Sequence, residues 1–361
     1  MGATESEMLG RRVVEACLAM GFALAGVARA EETSHRAAFT AWLDAGSHGD
    51  MDYMSELVEE RMDPRVMLPG ARSVVMVADQ YAERGSGEEQ EQKSGGARAR
   101  GVVAKYARGR DYHAVMRRRL HGLCDRLREM HPGARFRAFV DTGPALEREQ
   151  AARAGLGFIG KHTLLIEPRL GSYLLLGGFA TTLELSAPAR SAAGVSHQTS
   201  PCGTCTRCID ACPTGAITAF RVEATRCVSY LTLEHRGLID PSLHAGIGDR
   251  LLGCDVCQDV CPFNDAHEGA ASHARVNPAY RDEAGERGSL PLPGVLRWTE
   301  ADRSRALSGS AAKRASLAMI RRNAVIAAGN AGLWGEVERI AGDEGEEALV
   351  RETARAVLAR R

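Results

Sequence analysis

No run of uncharged apolar residues in this 361-residue chain approaches the roughly 18 needed to cross a bilayer. A membrane-spanning helix is therefore not expected. Net charge is also missing: 46 basic residues balance 46 acidic ones, which excludes a polycation that wraps nucleic acid. Any such contact must come from a local patch. Lysine is scarce. Only Lys93, Lys105, Lys161 and Lys313 occur, so arginine carries nearly all the positive charge, and a GC-rich coding bias explains this more simply than phosphate binding. What remains is a globular profile, 44% apolar and 25% charged, in a chain long enough for two or three domains.

Arg11-Arg12, the apolar stretch from Ala16 and Ala28-Arg29-Ala30 superficially resemble a twin-arginine export signal. Glu5, Glu7 and Glu15 interrupt that pattern. Leu9, Val13, Cys17 and Met20 instead recur at helical spacing, Gly21 ends the helix, and Phe22 to Val27 reads as a strand. A soluble, cytoplasmic protein is expected.

Further strands are expected at Ser73–Ala78, Phe136–Val140 and Tyr173–Leu176, and helices at Tyr112–Met130 and Pro144–Ala154. Polar or Gly/Pro-rich stretches at 85–100, 187–200 and about 266–294 read as loops and linkers. The layout is a mixed α+β or α/β domain over 1–190, a ferredoxin-like double-cluster module over 191–270, and a linker with a HEAT-like helical domain over 271–361.

Ten cysteines are unevenly placed. Cys17 and Cys124 sit alone in apolar, helix-like surroundings and read as small buried hydrophobes. The other eight crowd between Cys202 and Cys261, unlike the spread pairs of a secreted disulfide scaffold. Cys202-x2-Cys205-x2-Cys208-x3-Cys212-Pro213 has the spacing of bacterial ferredoxins, in which the fourth thiolate crosses to a second cluster. Cys254-x2-Cys257-x3-Cys261-Pro262 repeats the tail of that motif, with Cys227 the available replacement for its missing first thiol. The crossing rule puts Cys202, Cys205, Cys208 and Cys261 on one 4Fe–4S cluster. Cys212, Cys227, Cys254 and Cys257 hold the other. Structural zinc is the alternative, but it gives no reason for the third closely spaced thiol or for two Cys-Pro endings. Some 185 residues precede the module, more than a plain electron carrier needs. The clusters are expected to feed a reaction centre there.

Several blocks resemble the epoxyqueuosine reductases: Ala104–His113 (AKYARGRDYH), Val140–Pro144 (VDTGP), Ala154–Lys161 (AGLGFIGK), CGTCTRCIDACPTGAI (202–217), RCVSYLT (226–232), GCDVCQDVCPFN (253–264) and Arg321–Ala324 (RRNA). They run in order along nearly the whole chain. The resemblance implies an oxidoreductase that uses cobalamin and two 4Fe–4S clusters to remove the epoxide oxygen of epoxyqueuosine in tRNA, the last step of queuosine biosynthesis. It also implies base-off cobalamin without a protein ligand to cobalt, an external donor of flavodoxin or ferredoxin type, and tRNA modified at the anticodon wobble position as partner. A monomer is expected. In keeping with this, Asp111-Tyr112-His113 begins the Asp-x-His-x-x-Gly pattern of histidine-ligated cobalamin, but Met116 stands where its glycine would be.

Carried over residue by residue, the resemblance places Arg61, Ala104, Asp141, Leu165, Leu176, Ser229 and Asp255 at the cobalamin. Leu165 and Leu176 would offer backbone groups, and Ser229 and Asp255 adjoin cluster ligands. Ala104 occupies a position that is cysteine in some relatives, so no thiol is essential there. Asp141 follows an apolar strand and precedes a Pro-led helix; by position it reads as a helix N-cap, and by resemblance as the proton donor. As an acid near neutral pH it would need a carboxyl raised well above about 3.9. Between 297 and 330, Arg297, Arg303, Arg305, Lys313, Arg314, Arg321 and Arg322 face only Glu300 and Asp302 in sequence, and Arg314, Arg321 and Arg322 are expected to hold tRNA phosphates. The rival readings are a cobalamin-dependent reductive dehalogenase and a ferredoxin-type electron-transfer protein.

Overall fold

The computed structural model describes residues 4–85, 99–186, 200–265 and 276–361. Of the expected loops, residues 86–98, 187–199 and 266–275 fall outside these residues. Among the described residues, no helix is long and apolar enough to cross a membrane.

The strands, in chain order, are β1 (Leu24–Arg29), β2 (Ser73–Gln80), β3 (Arg100–Val103), β4 (Phe136–Phe139), β5 (Phe158–Ile159), β6 (Leu165–Ile166), β7 (Leu174–Thr181), β8 (Ile217–Thr218), β9 (Arg221–Val222), β10 (Arg250–Leu252) and β11 (Ser289–Pro291). The main sheet runs β1-β2-β7-β4, with every pair antiparallel. β2 is buried along its whole length because both faces are covered. Val75 and Val77 face the helices Glu5–Ala19 and Tyr112–Met130, against Val13, Cys17, Met116, Leu120 and Cys124. Val74, Met76 and Ala78 face the other way, onto Ala151, Ala154 and Leu156. This is why SVVMVA reads as an unbroken apolar run instead of an alternating one. An antiparallel sheet makes this layer α+β. It is not a parallel α/β fold, so the rule that ligands gather at the carboxyl ends of parallel strands does not place the site.

The expected helix at Tyr112–Met130 forms with those bounds, and Asp111 caps it by accepting the His113 N–H. The helix expected from Pro144 begins only at Glu147.

A second sheet, β10-β3-β11, draws one strand from each of the three segments expected from the sequence. Backbone pairing thus ties the first segment to the cysteine module and to the C-terminal region. There, a short 3-10 turn at Ala311–Arg314 and a break at Ser316 precede the helix Leu317–Asn330. That helix is buried nearly all round, packing on Trp334–Gly342, Ala348–Leu358, Leu231 and Leu251. It is a core helix and presents no broad outer face.

Candidate active site

The eight clustered thiols fall into two electrostatic neighbourhoods. Burial, then repulsion from Cys202, Cys208 and Cys205, pushes Cys261 up to about 11. Cys208 is raised by burial and by Cys202 and Cys205. Cys227 is raised by burial and has Cys212 as its neighbour, while Cys254 is pushed up to about 11 by burial and feels Cys227. Cys257 is raised by burial, then by Cys254 and Cys227, with Cys208 a more distant influence. The crossing rule would assign Cys202, Cys205, Cys208 and Cys261 to one cluster and Cys212, Cys227, Cys254 and Cys257 to the other. Backbone N–H groups already point at the sulfurs: Ala216 donates to Cys212 Sγ at 3.2 Å, and Ser229 and Tyr230 donate to Cys227. Such bonds stabilise thiolates and tune clusters. Among the described residues, no three His, Cys, Asp or Glu side chains converge as the ligands of one ion would. Two of the four lysines serve this module. Lys161 Nζ donates to the carbonyls of Gly203 (2.7 Å) and Cys205 (2.9 Å), and buried Lys105 pairs with Asp259.

Asp141 lies beyond β4 with a left-handed backbone, φ +47°. That conformation costs a non-glycine residue on the order of 1 kcal/mol, and aspartate tolerates it better than most. Its N–H donates to Glu147 Oε1 at 2.5 Å. His113 stands between two carboxylates, with Nε2 2.9 Å from Asp141 Oδ2 and Nδ1 2.7 Å from Asp111 Oδ1. Carboxylates only accept, so this arrangement favours a ring that donates from both nitrogens. Burial alone would lower His113, but the two carboxylates raise it above its ordinary value. Burial would likewise raise Asp141, but hydrogen bonding and charge from His113, then Arg314 and the Tyr112 hydroxyl, hold it below the usual carboxylate range. This reverses the elevation expected from the sequence, because a neighbouring cation outweighs partial desolvation of a side chain still 43% exposed. The neighbouring protons reside on His113 and on Glu147, which burial and then the charge of Asp141 push up to about 8. Asp141 caps no helix: Leu146 holds the cap position and makes no side-chain cap bond.

Around this pair the chain gathers further polar and charged side chains. Arg61 Nη2 donates to Tyr53 O at 2.9 Å; burial lowers its pKa, while Tyr53, Glu147 and Asp141 raise it. Arg314 pairs with Glu234 at 2.9 Å and feels Tyr53, Asp141 and Tyr106. Half-buried Tyr106 senses Arg314, Asp141 and Asp255 together, so Ala104–Tyr106 lies between Asp141 and the loop carrying Cys254 and Cys257. Ala104 is buried and donates its N–H to Leu252 O at 2.8 Å; a Cβ on Gly253 (φ +75°) would fall 2.6 Å from that of Ala104. Only small residues allow this approach. Asp255 is buried and accepts the Lys105 N–H at 2.8 Å, and Ser229 lies at the start of Val228–Leu233. Leu165 is buried in the short β5–β6 pair. Leu176 sits on β7 where β4, ending opposite Gly178, no longer covers the strand edge.

The arginines expected to meet tRNA part company. Arg314 pairs with Glu234 within electrostatic reach of Asp141. Arg321 instead forms a two-pronged pair with Glu346 and donates to Leu296 O at 3.0 Å. Arg322 is fully buried, donating to the carbonyls of Leu231, His235 and Gly237 and to Asn323 Oδ1, and burial pushes it down to about 10. The expectation of phosphate contacts is thus corrected for Arg321 and Arg322: their guanidinium groups are already satisfied by protein oxygens. Tyr53, Tyr112, His113, Glu147 and Glu234 join this cluster around Asp141 without having been singled out as site residues. For His113 a signal existed, since Asp111-Tyr112-His113 fits a carboxylate–imidazole relay as well as a ligand motif.

Comparison with known proteins agrees along the whole chain. The family model for epoxyqueuosine reductase QueG, DUF1730, matches residues 61–142, and that for the 4Fe-4S double cluster binding domain matches residues 201–264. The epoxyqueuosine reductase of Burkholderia pseudomallei is 38% identical over 328 residues, covering 86% of this chain and 79% of its own. That of Xanthomonas campestris is 38% identical over 312 residues, covering 86% and 84%. A crystal structure of epoxyqueuosine reductase with an epoxyqueuosine-modified tRNA stem loop superposes with a TM-score of 0.80 at 27% identity, covering 97% of this chain and 89% of that one. A Bacillus subtilis epoxyqueuosine reductase, with an aspartate-bearing catalytic loop swung out of its active site, gives a TM-score of 0.80 at 26% identity over 96% and 88%.

Proposed function

The chain belongs to the epoxyqueuosine reductase family, and from that membership we infer that it reduces epoxyqueuosine in tRNA to queuosine, with Asp141 as the proton donor. The reaction takes two electrons and two protons, breaks both carbon–oxygen bonds of the epoxide, and leaves an alkene and water. The family assignment favours this reading over a reductive dehalogenase or a plain electron carrier.

The residues present fit the cofactors. Two sets of four thiols suit two 4Fe–4S clusters, whose assembly must displace the thiol protons that burial favours. For cobalamin, Arg61, Ala104, Asp141, Leu165, Leu176, Ser229 and Asp255 would form the walls, with the uncovered edge of β7 offering backbone groups. Both His113 nitrogens are engaged by carboxylates, which suits a corrin without an axial histidine. When bound, cobalamin supplies the reducing chemistry at the epoxide and the clusters supply its electrons.

The chain's own residues handle protons and position. Asp141 delivers a proton to the departing oxygen, drawing it from the imidazolium of His113. Arg314, beside Glu234 and near Asp141, meets the modified nucleotide. The modified nucleotide must leave the anticodon loop's stack to arrive there. An external donor of flavodoxin or ferredoxin type supplies electrons to the chain, which works as a cytoplasmic monomer.

The contact of Asp141 with His113, linked electrostatically through Tyr106 to a cluster loop, carries this reading. It is tested by anaerobic turnover of epoxyqueuosine-containing tRNA, read by nucleoside mass spectrometry. Asp141→Asn should lower turnover on the order of a hundredfold with cluster iron unchanged. Near-normal turnover by that variant would remove Asp141 as the donor.

A further inference from the structure

Asp141 is fastened at two points, and only one of them involves its side chain. His113 and Tyr112 hold the carboxyl, whereas Glu147 holds the backbone. Among the described residues, Glu147 Oε1 is the acceptor recorded for the Asp141 N–H. The turn around it is tight, with the Thr142 N–H donating to Val140 O at 2.5 Å. A non-glycine residue without such a restraint relaxes toward negative φ, which swings Cβ and everything beyond it to a new direction.

We propose that Glu147 is a positioning residue for the reaction: its carboxyl oxygen pins the Asp141 N–H in the left-handed turn and so aims the Asp141 carboxyl at His113. The proposal rests on the reading of Asp141 as proton donor.

Glu147 is well placed for this. It opens the helix Glu147–Arg153, whose Glu149, Gln150 and Ala151 are buried against the main sheet. The next residue, Arg148, is tied to Thr163 O at 2.8 Å. The pin therefore stands on a fixed element, while the residue it holds stands on a turn. Its chemistry suits the task as well. Beside the Asp141 carboxylate, a second full negative charge would repel. Burial and that same charge push Glu147 up to about 8, so near neutral pH it is mostly an uncharged acid whose carbonyl oxygen still accepts an N–H. Arg61 and Arg148 are the cations that face it.

This predicts a dependence on the acceptor oxygen, not on charge. Glu147→Gln keeps a carbonyl oxygen at the same reach, and kcat should stay within about threefold of wild type. Glu147→Ala removes the acceptor. Its kcat should fall about tenfold or more, with KM for tRNA and cluster iron little changed, because only the aim of the donor is lost. In a crystal structure of Glu147→Ala, Asp141 should relax to negative φ and leave His113. Wild-type kcat in Glu147→Ala, alongside an inactive Asp141→Asn, would overturn the proposal. So would an equal loss in Glu147→Gln and Glu147→Ala, since that would make the charge matter instead of the acceptor. If Asp141→Asn itself turned over normally, the donor reading would fall. The structure of Glu147→Ala would still decide the pin, and a retained left-handed turn would refute it.

Discussion

Replacing Arg322 by methionine separates a tRNA-contacting arginine from one that holds the fold together. The guanidinium makes five hydrogen bonds: two to Asn323 Oδ1 and one each to Leu231 O, His235 O and Gly237 O. Methionine fills much of the space but leaves three backbone carbonyls and Asn323 Oδ1 without these donors. With water able to reach Gly237, three groups stay stranded, and at about 1–3 kcal/mol each the gross loss is about 3–9 kcal/mol. Relief from burying a cation returns part of this, so a net loss of about 2–5 kcal/mol is expected. That is a large share of the roughly 5–15 kcal/mol typical of a folded domain. The damage is also directed. Asn323 Nδ2 donates to Thr232 O and Leu251 O, one on the helix that follows Cys227 and the other on the strand that leads to Cys254. Anaerobic urea unfolding should show a midpoint lower by about 1 M, at a slope of about 3 kcal/mol/M. Iron analysis should show loss from the cluster ligated by Cys227 and Cys254. A variant with a wild-type midpoint and full iron, but weaker tRNA binding, would refute the structural reading and restore Arg322 to the tRNA.

The ligand sets predict that wild type carries about eight irons, that Cys227→Ala damages one cluster and falls toward about four, and that Cys17→Ala and Cys124→Ala retain both clusters; full iron in Cys227→Ala would break the assignment. His113 sets the pH dependence. Its pKa is raised in the fold, so the stability gained from its carboxylate partners is complete below about pH 6.5 and is lost as pH rises through the elevated folded value. Turnover should decline over the same alkaline window as the imidazolium deprotonates. His113→Gln should be slower and should lack that decline; an unchanged pH–rate profile in this variant would take His113 out of the proton path.

Local patterns carried much of this protein. Thiolates three residues apart can hold one cubane because the chain between them makes a tight turn, and the Cys-Pro endings mark where each run closes; no distant contact is needed to read that. The helix at Tyr112–Met130 and the doubly buried β2 were equally plain, since periodicity and unbroken apolarity follow from which faces are covered. Direction of strand pairing was not readable. Val74–Ala78 would look alike in a parallel or an antiparallel sheet, because burial on both faces erases the alternation that distinguishes them.

The acid–base centre shows the same division more sharply. Asp141 could be picked out from its place after a strand, but not its protonation. His113 is 28 positions away in sequence, and Arg314, which arrives from the C-terminal region, is more distant still. An adjacent cation and partial burial act on a carboxyl in opposite directions, and only their distances decide which prevails. Arginine is ambiguous for a related reason. A guanidinium satisfies phosphates and backbone carbonyls with the same donors, so a basic run in sequence fits either partner. Sequence alone determined the main elements and the family, and it proposed the thiol sets. The fold decided that Arg321 and Arg322 spend their donors on protein oxygens, that Arg314 lies beside Glu234 and near Asp141, and that Glu147 stands behind Asp141. Each of these depends on which oxygens the packed chain brings within hydrogen-bonding distance.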